Sequence, residues 1–199
     1  MISSYRLGDL VLLQLDEPSI NLLLNEHPKS IGAEYVFKKK RNPKRSNIDI
    51  ITEIALRRIH IYSSQFPADI SESTLIHLRL GDVVAGNEWH EKIKRPVEVE
   101  TLTKILEPYP EKRYVIGKCF FALTSSTNYN ECVEASETYL QKVVEALGAT
   151  QVDSEDADVD FCCAIKSKLF VQGKGHFSRL IVEIRKRLNL PSIETSITN

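Results

Sequence analysis

The stretch Thr74–Asp82, reading TLIHLRLGD, joins an apolar strand pattern to three polar side chains, His77, Arg79 and Asp82, set about Gly81. A guanidinium presents a planar fork of donors that matches phosphate oxygens. Where a strand runs into a glycine turn that fork has a fixed direction, so anion recognition is the first chemistry expected of Arg79. A second segment, Phe170–Ser178 (FVQGKGHFS), reads as a strand, a glycine-bearing turn and the start of a helix. The unpaired N–H groups of a helix's first turn, with the helix dipole behind them, make an anion site. Gly175 opens that turn, Ser178 offers a hydroxyl, and Lys174 or His176 adds positive charge.

Both segments need a scaffold, and the pattern from residue 71 onward supplies one: strand-like and helix-like stretches alternate as in a parallel sheet covered by helices. Strands are predicted over Leu75–Leu80, Arg113–Ile116 and Leu169–Val171. Helices are predicted over Val97–Leu106, just after Pro96, and over Asn130–Leu147, closed by Gly148. A last helix opens near Gly175 and places Phe177, Leu180, Ile181, Ile184 and Leu188 on one face; beyond it Ile193–Asn199 reads as a frayed tail. Upstream, Leu10–Leu15 reads as a strand and Ser19–Asn25 as a short helix. Asn47 could cap a helix in which Ile51, Ala55, Ile59 and Tyr62 recur at helical spacing. Open sheets of this kind bind ligands at the carboxyl ends of their strands, which is where both chemical segments fall.

At 199 residues, with 42% hydrophobic and 27% charged residues, the chain has the make-up of one substantial α/β domain plus a smaller lobe. Lys+Arg (26) and Asp+Glu (27) nearly balance, so bulk nucleic-acid binding is not predicted. Arg6 and Asp9 interrupt the apolar start, which argues against a secretory leader. No apolar run approaches the roughly 20 residues of a bilayer span. A cytoplasmic chain is expected, with Cys119, Cys132, Cys162 and Cys163 as free thiols.

Together the two segments resemble a family. HLRLGD is similar to the HxRRxD-type motif of the fucosyltransferases that include the α1,6- and bacterial α1,2-fucosyltransferases and the protein O-fucosyltransferases. In the same order, residues 157–165 (ADVDFCCAI) and 169–180 (LFVQGKGHFSRL) resemble that family's C-terminal motif, an acidic residue and an alanine-rich turn followed by a strand and an "FS" helix start. The resemblance implies a GT-B-like α/β fold, with an abbreviated N-terminal lobe over residues 1–70 and a Rossmann-like domain over residues 71–199 that holds GDP-fucose. It implies transfer of fucose, or a related sugar, to a glycan or protein acceptor with inversion at the anomeric carbon, and neither a cofactor nor a metal. Carried over by position, Arg79 would contact the β-phosphate, Ser178 with the Gly175 turn and the backbone of His176 and Phe177 would hold the diphosphate, and Asp160 would lie near guanine or ribose. His77 would support the loop or the nucleotide. Glu88 or Asp82 would take the acceptor's proton. Leu80 stands where many relatives have a second arginine.

Other readings of the same residues compete. A relative that keeps the Rossmann-like half could bind a nucleotide sugar without transferring it. Asp156, Asp158 and Asp160 alternate like the DxD of a metal-dependent glycosyltransferase, since paired carboxylates suit hard cations; that reading requires Asp158 and Asp160 to converge. Phe37–Arg45 (FKKKRNPKR) is basic enough for polyanions, but it lacks interleaved aromatics and reads as a solvated loop.

Overall fold

The computed structural model describes residues 47–81, 83–84, 96–120, 129–154 and 157–195. The predicted strand Leu10–Leu15, the helix Ser19–Asn25 and the basic loop Phe37–Arg45 lie outside them. In chain order the elements are α1 (Asn47–Tyr62), β1 (Thr74–His77), β2 (Leu80–Gly81), α2 (Val99–Leu106), β3 (Arg113–Ile116) and β4 (Cys119–Phe120). They continue with α3 (Tyr129–Leu147), β5 (Thr150–Gln151), α4 (Ala157–Lys166), β6 (Leu169–Gln172), α5 (His176–Arg187) and β7 (Ser192–Glu194). Five strands form one parallel sheet in the order β5-β3-β1-β6-β7, and β2 pairs with β4 in a small second sheet. The α/β, Rossmann-like fold expected from the sequence is the fold observed.

Strand alternation sorts the core into two layers. Leu75, Tyr114, Ile116 and Phe170 face α1, α4 and α5, where they meet Ala55, Phe161, Ile181 and Ile184. Ile76, Val115 and Val171 face the other way, onto Leu102 and Leu106 of α2 and Val143 and Leu147 of α3. The helix α3 stops where Gly148 takes φ +57° and the Ala149 N–H reaches back to the Val144 carbonyl at 3.0 Å.

Two arginines tie helix ends to the sheet. Arg113 donates to the carbonyls of Leu106, Tyr109 and Leu147, closing the C-termini of α2 and α3. Arg185, fully buried, donates to the carbonyls of Ala164, Ile165, Ser167, Lys168 and Pro191 and to the Ser192 hydroxyl. Burial pushes its pKa down to about 10. Its partners are all neutral oxygens, so the desolvation of the cation is offset by the number of hydrogen bonds rather than by a carboxylate.

The structure differs from the expected elements in three places. The strand predicted over Leu75–Leu80 is interrupted at residues 78–79, because β1 ends on His77 and pairing resumes only at Leu80. The stretch 157–165, which the resemblance makes an alanine-rich turn, lies in the helix α4. Of the tail expected to fray over Ile193–Asn199, residues 193–195 are instead held, by pairing of β7 to β6, by packing of Ile193 on the second core and by a hydrogen bond from the Thr195 hydroxyl to the Gln172 carbonyl at 2.7 Å, while residues 196–199 lie outside the described residues. Arg185→Met should therefore cost about 3–5 kcal/mol, since it strands several buried carbonyls at once; a urea-unfolding difference below about 1 kcal/mol would contradict the clasp described here.

Candidate functional site

The strand order carries a switch point. From β1 the chain moves outward through β3 to β5, and from β6 it moves the opposite way to β7, so the strand order reverses between β1 and β6, the place where open α/β sheets bind their ligands. The segments leaving these two strands carry Arg79 and the Gly173–Gly175 turn. Because Leu75 faces the α5 side of the sheet, alternation sends His77 to that side too. Its ring lies 5.2 Å from that of Phe177, which in turn packs edge-on to Phe161 at 5.9 Å.

Two glycines make the approach possible. A Cβ on Gly173 would fall 2.3 Å from the His77 carbonyl oxygen and 2.5 Å from its Nδ1, so no side chain fits there. Gly175, at φ +108°, is the N-cap of α5, and a Cβ on it would fall 2.8 Å from Nη1 and 3.3 Å from Cδ of Arg79. The guanidinium thus lies across the opening of the last helix. Intrahelical bonding begins with the Arg179 N–H to the Gly175 carbonyl, so the amides of His176, Phe177 and Ser178 have no i−4 carbonyl within α5. The first turn contains no acidic residue to neutralise them.

Ser178 is fully buried, and its hydroxyl lies 2.6 Å from the Gly173 carbonyl and 3.3 Å from that of Gly175, so its proton is donated to the turn itself. The serine shapes the loop whose backbone faces Arg79. The Nδ1 of His77 is buried and has no hydrogen-bond partner among the described residues. Burial, and secondarily the charge of Arg79, push its pKa down to about 3, leaving a neutral imidazole beside the guanidinium.

Asp158 and Asp160 are both buried in the first turn of α4, and Asp160 accepts a hydrogen bond from the Ser154 hydroxyl at 2.6 Å. Among the described residues no group of three or more His, Cys, Asp or Glu could hold a metal ion. Asp82 and Glu88, and the side chain of His176, lie outside the described residues. The structure therefore brings together His77, Arg79, Gly175, Phe177 and Ser178, while Asp160 sits at the corner between β5 and α4. Sequence reasoning missed Gly117, whose Cβ would meet the Leu78 carbonyl at 2.7 Å, and Ser136, which accepts a hydrogen bond from the Gly81 N–H at 2.8 Å. Neither carries a local signal, since each is defined by a partner far along the chain.

No protein-family model matches the chain, and no curated protein matches it. Among solved structures it is similar to crystal structures of POFUT1: the apo form (14% identity, TM-score 0.44, covering 74% of this chain and 50% of that one), the complex with GDP (16%, 0.43, 77% and 47%) and the complex with GDP-fucose (12%, 0.41, 73% and 49%). The chain spans about half the length of these structures. Among the described residues no helix is long and apolar enough to cross a membrane.

The His77 environment has a pH signature. Its pKa falls from 6.5 in the unfolded chain to about 3 in the folded one, so between those values the unfolded state binds a proton that the native state refuses. Stability must then fall as pH drops below about 6.5, with a slope contributed by this one group approaching about 1.4 kcal/mol per pH unit. His77→Asn should flatten the stability profile between pH 6.5 and 5 in denaturant titrations, and an unchanged slope would show that His77 protonates freely in the folded protein.

Proposed function

We propose that this chain is a glycosyltransferase of the fucosyltransferase-like kind, which takes fucose or a related sugar from a GDP-sugar donor to a glycan or protein acceptor with inversion. The observation that carries the reading is the placement of the Arg79 guanidinium across Gly175, at the amide-rich opening of α5 and at the switch point of a parallel sheet. A diphosphate needs a cation and a row of N–H donors converging on one hollow, and that is the donor set gathered here. It coincides with the two segments that resemble the family's motifs.

In this reading Arg79 binds the β-phosphate and stabilises the charge that develops on the departing GDP, which is where fixed donors lower a barrier most. The first-turn amides of His176, Phe177 and Ser178 hold the other phosphoryl oxygens. The Ser178 hydroxyl keeps the Gly173–Gly175 turn in shape, and the neutral His77 fills the space beneath it. Asp160, at the β5–α4 corner on the same edge of the sheet, meets the nucleoside. The acceptor hydroxyl attacks the anomeric carbon from the face opposite the diphosphate, and its proton passes to Glu88 or Asp82, the carboxylates that follow the arginine in the chain.

Arg79→Ala should lower the affinity for GDP by about 2–4 kcal/mol in calorimetric titration, the worth of a charge-assisted contact in a partly enclosed site. Equal affinity in the two proteins would remove Arg79 from the donor site. Glu88→Gln should bind GDP as well as the parent while transferring sugar more slowly; if turnover is equal, Glu88 is not the base. A wild-type protein that binds the GDP-sugar, yet transfers nothing to any glycan or peptide acceptor, would make it a binding protein instead.

A further inference from the structure

Arg79 occupies a gap in the ladder. On one side β1 pairs with β3 as far as His77↔Ile116, and on the other β2 pairs with β4 from Leu80↔Cys119, so one register continues across a break at residues 78–79 and 117–118. Within the break the Leu78 N–H still donates to the Ile116 carbonyl at 2.8 Å, and Gly117 admits the Leu78 carbonyl where a side chain could not go. Before the arginine the backbone is therefore held by the main sheet. After it, among the described residues, the backbone is held by the two-residue strand β2, by Leu80 packed in the second core and by the contacts of Gly81.

The polar anchor of Gly81 among the described residues is a side chain from the opposite layer. Gly81, at φ +87°, donates its N–H to the Ser136 Oγ at 2.8 Å, and the Ser136 hydroxyl donates in turn to the Cys132 carbonyl at 2.6 Å within α3. Ser136 is fully buried. A serine inside a helix commonly bonds back to the carbonyl four residues earlier; here the same oxygen also accepts a backbone N–H from another element, in a place water does not reach.

We infer that Ser136 is a positioning residue for Arg79: by fixing Gly81 it closes the second end of the interrupted strand and so sets the direction in which the guanidinium crosses Gly175. This hydrogen bond, together with the packing of Leu80 in the second core, links α3 to the anion site on the side of the sheet away from α5. The consequence for GDP affinity rests on the donor-site reading above, whereas the consequence for Arg79 itself does not.

The test separates the two. In 15N-labelled protein the Arg79 Nε–H cross-peak, assigned by its disappearance in Arg79→Lys, should shift in Ser136→Ala and return near its original place in Ser136→Thr, which keeps the acceptor oxygen. Arg113→Met, which unties helix ends at the opposite edge of the sheet, should destabilise the fold without moving that cross-peak. In GDP titrations Ser136→Ala should bind about tenfold more weakly, the scale of effect expected when a binding group is misaimed rather than removed, and Ser136→Thr should bind like the parent. Should Ser136→Ala fail to fold, Ser136→Cys, with its poorer acceptor, carries the same expectation. An unmoved Arg79 cross-peak in the folded variant overturns the inference. A shifted cross-peak in a protein that does not bind GDP at all supports the positioning role and overturns only the donor reading.

Discussion

The structure depends on how closely the carboxyl ends of β1 and β6 approach one another. With Gly173 lying against the His77 carbonyl, a side chain there would push the two segments apart, and one on Gly175 would displace the Arg79 guanidinium. Glycine is required at the first for space and at the second for its positive φ of +108°. This contact sets Arg79 beside the opening of α5 at the switch point of the sheet. Burial of His77 follows from the same constraint, and with it the loss of its charge.

Around that contact the fold distributes rigidity unevenly. The α5 side is over-determined: Arg185 ties the end of α5 to the end of α4 and to the entrance of β7, and Ser178 locks the turn at the other end of the helix. The helix that opens onto Arg79 is thus fixed at both termini. The arginine's own segment is supported differently, because its strand is interrupted and, among the described residues, its second half rests on β4, on Ser136 and on Leu80 in the second core.

Much of this was legible in the residues. A strand pattern running into Gly81 puts His77 and Arg79 at a strand's end, and the glycine-bearing turn before Ser178 announces a helix start. Together they point to the carboxyl edge of a parallel sheet. What stayed hidden has physical reasons. The break at residues 78–79 is set by Gly117 and the β3–β4 register, not by anything within the strand. The helix α4 is buried from Asp158 to Ile165, so it shows no polar stripe by which a helix would be recognised. Two-residue β5 has both side chains exposed and no pattern at all, and β7 forms because its neighbours clasp it. Ser178 looked like a phosphate ligand by type, yet its proton goes to the turn, a distinction that only distances can make.

The central claim is that one crevice, walled by Arg79 and by the first turn of α5, receives a diphosphate. The most direct measurement is a GDP titration followed by two-dimensional 1H–15N NMR. The account predicts that the amides of His176, Phe177 and Ser178 and the Arg79 Nε–H shift together along a single saturation curve. Saturable shifts confined to some other surface, or a spectrum that GDP leaves unchanged, would contradict it.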